Sequence, residues 1–174
     1  MSTYRRLRVP GATYFFTLAL ADRRNDHLVR HICALRKAYA ATCAEHPFET
    51  RAIVVLPDHL HAVWALPPGD SDFPERWRKI KARFSNAVGG DFPRSPSKMA
   101  KRECGLWQRR YWEHMIRDEA DYRAHVGYCW FNPVKHGVVE RPTDWLHSSI
   151  HRDMRRDLVD LAWCDLPRKI EVGE

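Results

Sequence analysis

From residue 11 to residue 20 the chain reads GATYFFTLAL, a run of aromatic and β-branched residues that follows a Pro-Gly turn. That pattern predicts a strand. The period then changes. Leu28, Ile32, Leu35 and Tyr39 recur at helical spacing, so an amphipathic helix is predicted from His27 to about Ala44, with Asp26 as its cap. FETRAIVVL and HLHAVWAL read as two further strands, and the short Pro57-Asp58 link between them makes the pair antiparallel. In DFPERWRKIKARFSNAV the apolar stripe Trp77, Ile80, Phe84 predicts a second helix, capped by Asp72 with Pro74 in its first turn. Arg76, Lys79 and Arg83 then line its other side. GGDFPRSPSKMAKRE has the composition of an exposed loop. A fourth strand is predicted near Tyr111 to Ile116. DEADYRAHVGYCWFN follows as a third helix, which Pro133 should end. Past Gly137 the pattern weakens, and Arg152 to Glu174 reads as a loosely packed tail. The order β-α-β-β-α-β-α predicts an α+β fold of the ferredoxin-like plan, an antiparallel sheet with helices packed on it.

Composition narrows the function more than the fold. A chain of 174 residues is enough for one domain and short for two. The excess of 29 Lys+Arg over 22 Asp+Glu gives +7, and aromatic residues reach 11%, a pairing that suits a nucleic-acid partner. The five cysteines form no C-x-x-C pair, which argues for reduced thiols and against a disulfide framework or zinc ribbon. The apolar run near the N-terminus is too short, and too broken by Thr17, for a signal peptide or membrane span. A soluble, cytoplasmic protein with no membrane partner is expected.

The chemistry is carried by two short patterns. His59 and His61 alternate in a strand, so both imidazoles face one way and can take a divalent metal if a third ligand approaches. Tyr128 and Asn132 lie four residues apart on one helical face. Laid over the strand, that helix would add an amide oxygen and a phenol. Mixed nitrogen and oxygen ligands suit Mg²⁺ or Mn²⁺, which can polarise a phosphodiester for attack by a tyrosine hydroxyl. Glu113 and His114 compete for the role of ligand, and the pattern alone does not separate them. WQRRYWEH interleaves Arg109 and Arg110 with Trp107, Tyr111 and Trp112, a mixture that can pair phosphates and stack bases, though core packing claims many tryptophans. Arg5, Arg6 and Arg8 sit together on an N-terminal arm.

The stretches PGATYFFT, VVLPDHLHAVWALPPGDSDFPERWRKIKARF, WQRRYWEHMIRDEADYRAHVGY and NPVKHGVVERPTDW, in this order and spacing, resemble the REP-associated tyrosine transposases, single-tyrosine members of the HUH endonuclease superfamily. The resemblance covers nearly everything from Tyr4 to about Arg152. It implies that His59 and His61 are the metal-binding pair, Tyr128 the nucleophile, and Asn132 the ligand one turn later, where insertion-sequence relatives usually carry glutamine. It further implies a metal-dependent nickase and strand transferase that forms a 5′-phosphotyrosine on single-stranded hairpin DNA. The DNA would be held by the N-terminal arm and the basic face of the second helix. A monomer is expected over a dimer that exchanges tyrosine helices. Two rivals remain at this stage, a non-catalytic hairpin-binding regulator and a hydrolase that uses water.

Overall fold

The computed structural model describes residues 8–90, 92–94, 96–100 and 104–159. Its elements are β1 (Thr13–Ala19), α1 (His27–Arg30), α2 (Ile32–Glu45), β2 (Glu49–Val55), β3 (His59–Ala65), α3 (Phe73–Val88), α4 (Pro96–Ala100), β4 (Trp112–Met115), α5 (Glu119–Lys135), a 3₁₀ turn (Pro142–Asp144) and α6 (Ile150–Met154). The strands form one antiparallel sheet in the order β2-β3-β1-β4. This is the α+β architecture expected from the pattern.

The two central strands are buried on both faces, which is why β1 and β3 read as nearly continuous apolar runs. Tyr14, Phe16, Leu18, Leu60, Ala62 and Trp64 point to the face covered by α2 and α3, where Trp64 stacks on Trp77 at 3.9 Å. Phe15, Ala52, Val54 and Val63 point to the other face, under Val126, Tyr128, Cys129 and Trp130 of α5. Thr17 pairs with His61 and Ala19 with His59 across β1 and β3. Alternation therefore delivers both histidines to the α5 face.

Several features depart from the sequence pattern. The first helix is interrupted at His31, whose φ and ψ of −111° and 33° are not helical. Its first turn is instead anchored to the β2–β3 link, since Leu28 is fully buried and its N–H donates to Pro57 O. Asp26 makes no side-chain cap there. Within the expected loop, Pro96–Ala100 forms the short α4.

The third expected helix, α5, runs through Pro133 to Lys135. A proline this close to the end forfeits only the bond to the Cys129 carbonyl. The turn is closed by His136 N–H to Asn132 O and Val138 N–H to Pro133 O, with Gly137 at φ +65° beyond the helix.

Past Gly137 the chain is fastened to the sheet, and the start of the expected tail, Arg152 and Asp153, is packed rather than loose. Val55 N–H donates to His147 O and Ser149 N–H to Ile53 O, so residues 147–149 extend the sheet along the outer edge of β2. Asp153 is buried and accepts from Trp130 Nε1 at 3.2 Å. Arg152 donates to the carbonyls of Thr50 and Arg51. The remainder of the expected tail, from residue 160, lies outside the described residues. Cys33, Cys43, Cys104 and Cys129 are free thiols, while Cys164 is outside that range. Among the described residues no helix is long and apolar enough to cross a membrane.

The expected basic face of α3 is also corrected. Arg76 is buried, because its guanidinium faces α2 rather than water. It bonds both Asp70 carboxylate oxygens, at 3.0 and 2.6 Å, and the carbonyls of His46, Pro47 and Asp72. Arg76 is therefore a structural strut and offers nothing to a ligand at the surface. Lys79 and Arg83 keep partial exposure but pair with Glu45 on α2. Arg76→Met should lower unfolding free energy by about 3 kcal/mol, because it leaves buried carbonyls and Asp70 without their donor. Lys79→Met should cost less than about 1 kcal/mol, as a partly exposed pair is worth little. Urea denaturation of the two variants checks the contrast.

Candidate active site

Each histidine of β3 is gripped by its Nδ1 edge. His59 Nδ1 lies 2.7 Å from Asp58 Oδ1, and Arg23 in turn bonds Asp58 while approaching His59 Nδ1 at 3.3 Å. Facing a carboxylate, Nδ1 carries the proton, which leaves the lone pair on Nε2. That Nε2 is buried and has no hydrogen-bond partner. His61 Nδ1 lies 2.9 Å from Thr17 Oγ1, and its Nε2 is likewise buried. Burial lowers the tendency of His59 to protonate, outweighing the pull of Asp58 in the other direction. Burial would raise the Asp58 carboxyl, but the bonds from His59 and Arg23 bring it below its ordinary value. The result is a neutral imidazole fixed in one tautomer, as a metal-binding histidine requires.

The opposing face of α5 follows from its periodicity. Tyr128 lies edge-on to His61, with ring centroids 5.1 Å apart and planes at 80°. Eight residues on, the ring of His136 lies 4.9 Å from that of His59. Asn132 stands midway between them on the same helical face, so it is aimed at the histidine pair. It is fully buried, and neither Oδ1 nor Nδ2 has a hydrogen-bond partner. Leaving two such atoms unsatisfied costs about 1–3 kcal/mol each, a penalty that a ligand bound there would remove. Tyr128 is 5% exposed, and its hydroxyl accepts from Lys135 Nζ at 2.8 Å.

The rival ligands separate by face. Glu113 pairs with Phe16 across the sheet and so belongs to the α2–α3 side, away from the two histidines. His114 is on the α5 side but joins Asp121 and His125, whose ligand atoms with its own lie within 4.8 Å of one another, close enough to hold one ion. The protons of this group are already committed. His114 Nε2 faces Asp121 Oδ2 at 2.8 Å, and His125 Nδ1 faces the Asp121 backbone carbonyl at 2.8 Å, so both nitrogens must carry hydrogen. Asp121 Oδ2 also accepts from the backbone N–H and Nε of Arg117. As placed, the group is a hydrogen-bonded clamp that fastens the first turns of α5 to β4.

The chain is 43% identical to the REP-associated tyrosine transposase of Escherichia coli, over all of this chain and 98% of that one. This chain belongs to the REP-associated tyrosine transposases. A Haemophilus influenzae protein with a provisional assignment to the same group is 42% identical over 94% of this chain and 93% of its own. The solved structure of a REP-associated tyrosine transposase bound to a REP hairpin superposes with a TM-score of 0.88 at 42% identity, covering 100% of this chain and 98% of that one. No protein-family profile matches the chain.

Of the residues singled out in the sequence, His59, His61, Tyr128 and Asn132 converge. The basic candidates differ in exposure and pairing. Arg109 and Arg110 are exposed, with Arg109 donating to Ser97 Oγ; Arg8 is half exposed, and Arg5 and Arg6 lie outside the described residues. Trp107 is in the core and Trp112 stacks on His114, so the base-stacking role expected for Trp107 is not available to it. Sequence reading missed Asp58, Arg23, Thr17, Lys135 and His136. The last two continue the Tyr128–Asn132 stripe and were concealed by ending the helix at Pro133.

The clamp has a pH signature. Burial would raise the Asp121 carboxyl, but the bonds from His114 and Arg117 outweigh it and hold it at about 2. A depressed carboxyl stabilises the fold above its unfolded value near 4, and that contribution is lost as pH falls towards 2. Asp121→Asn should therefore lose about 2 kcal/mol at neutral pH. The gap from the parent should close between pH 4 and 2, as followed by urea denaturation at each pH.

Proposed function

We propose that this protein is a metal-dependent single-stranded DNA endonuclease and strand transferase that acts on REP-type hairpin DNA through a covalent 5′-phosphotyrosine. The observation that carries the reading is the buried Asn132 amide, with neither atom bonded, set against the His59–His61 pair and one helical turn from Tyr128. His59 Nε2, His61 Nε2 and Asn132 Oδ1 would hold Mg²⁺ or Mn²⁺, which supplies charge stabilisation at the scissile phosphate when bound.

The chain's own residues do the rest. Tyr128 Oη attacks phosphorus while the bond from phosphorus to the 3′ oxygen breaks. The tyrosine proton passes to water, and the departing 3′ oxygen takes one up, leaving a free 3′ hydroxyl. The phosphotyrosine keeps the energy of the broken diester, so another 3′ hydroxyl can reverse the step and join strands without a nucleotide cofactor. Asp58 and Thr17 keep the imidazoles oriented through their Nδ1 edges. The related transposase solved bound to a REP hairpin supports hairpin DNA as the partner. Contacts to it are assigned to Arg109, Arg110 and the arm bearing Arg5, Arg6 and Arg8, with Lys79 and Arg83 available at the rim of α3. The meeting of Tyr128 with His61 inside one chain supports a monomer, since no second copy is needed to complete the site. A DNA substrate implies the cytoplasm, in association with the nucleoid.

Tyr128→Phe should bind a labelled hairpin as the parent does, yet form no adduct and no cut strand on a denaturing gel with Mn²⁺. Tyr122→Phe is the control, on another face of α5. A cut without adduct would make water the nucleophile, and binding without any cut by the parent would leave a hairpin-binding regulator. His59→Ala or His61→Ala should abolish cleavage and spare hairpin binding. Hairpin affinity should fall with salt at a log–log slope of roughly 0.7 per phosphate contacted. Arg109→Ala and Arg110→Ala should each lower that slope, and Arg76→Met should leave it unchanged.

A further inference from the structure

Lys135 is a cation that touches the reacting oxygen. It lies seven residues after Tyr128, two helical turns on, and so returns almost to the same face of α5. Side chains lean towards a helix's N-terminus, and its long stem folds back along the axis. Its Nζ ends 2.8 Å from Tyr128 Oη and 4.9 Å from the centre of the ring. A lysine in the last turn of a helix ordinarily favours the carbonyl end of the dipole or water. Holding it over a phenol freezes several rotatable bonds, at a cost of up to about 2 kcal/mol, and a neutral phenol is a modest acceptor. An oxygen that gains negative charge is a much better one, and burial of Tyr128 strengthens the attraction.

Resting on the strand-transfer reading above, we propose that Lys135 is a second catalytic residue, whose ammonium stabilises the charge on Tyr128 Oη as the bond between that oxygen and phosphorus forms and breaks. In rejoining, the incoming 3′ oxygen bonds to phosphorus and the Oη–phosphorus electron pair moves onto Oη. The N–H of Lys135 is already directed at that atom. The 3′ hydroxyl gives its proton to water, and Oη recovers one from water, so Lys135 keeps its own proton throughout. The transition state is shared by both directions, so cleavage and rejoining are helped alike. Asn132 lies between Lys135 and Tyr128 in sequence but faces the histidines, so the two helical turns divide the work between the phosphate and the tyrosine.

The experiment is single-turnover cleavage of a saturating hairpin oligonucleotide with Mn²⁺, with hairpin Kd measured separately. Lys135→Met keeps the stem and removes the donor. It should slow cleavage and rejoining about a hundredfold, the usual loss for one donor to a developing charge, with Kd changed less than about threefold. Lys135→Arg should remain within about tenfold of the parent. Fluorinated tyrosine at position 128 makes Oη a better leaving group without lysine's help. It should restore much of the rejoining rate of Lys135→Met and change the parent little. Equal acceleration of both proteins would overturn the proposal, as would a raised Kd with an unchanged rate at saturation, which marks a phosphate contact. The parent's Tyr128→Phe variant keeps the two readings apart. If it still cuts, the strand-transfer reading fails; if it does not and Lys135→Met cuts at the parental rate, only the role of Lys135 fails.

Discussion

Phe15 sits fully buried in the middle of β1, and four rings that matter to the site lie against it. His125 is 4.7 Å away, His61 5.4 Å, and Tyr128 and Trp112 both 5.9 Å, centroid to centroid. It is the spacer that fixes how close α5 can come to the sheet. A smaller side chain would leave a void that α5 could fill by sliding, and an ångström of misplacement between nucleophile and phosphate is expensive in rate. A larger one would lift Tyr128 off His61. The separation of tyrosine from histidine is thus set by an apolar side chain with no part in the chemistry.

Polar groups extend that constraint outward. Asp121 ties the start of α5 to β4 through His114, and its partner His125 packs on Phe15. Asp58 and Arg23 hold His59 from the other end of the sheet, and Thr17 holds His61 from the neighbouring strand. Around the centre, therefore, these bonds hold the flanking side chains in fixed orientations. At the centre, His59 Nε2 and both polar atoms of Asn132 are not satisfied. Three open polar atoms on facing elements form a place where a ligand would relieve the cost of burying them.

Most of the fold was legible because it rests on period. The alternation in β1 and β3, the stripe Trp77-Ile80-Phe84, and the His59-x-His61 and Tyr128-xxx-Asn132 spacings each encode a face. They needed no knowledge of what lay opposite. What could not be read depends on partners distant in sequence. Arg76 looks like any exposed arginine until Asp70 and the His46 and Pro47 carbonyls are brought round it. Pro133 is a reliable breaker in a helix interior and a weak one near its end, and only the observed terminus distinguishes these cases. Glu113 and His114 are adjacent in sequence, so the pleat sends them to opposite sides of the sheet. The resemblance to a known family supplied roles for His59, His61, Tyr128 and Asn132, while the physical reading supplied the reason they can meet.

The covering of β2 has a consequence for how the chain is made. Ile53 donates its N–H to Ser149 Oγ, across 96 residues of sequence, and the carbonyls of His147 and Ile53 complete the seam. On the ribosome, β2 and β3 emerge early and can pair at once, but the outer rim of β2 stays bare until residue 149 has been translated. An uncovered rim of this kind is a template for joining with another chain. The nascent protein thus carries its adhesive side until residues 147–149 reach β2. Transcripts broken before that point would yield fragments with a formed hairpin and an open rim, a quality-control burden unrelated to DNA.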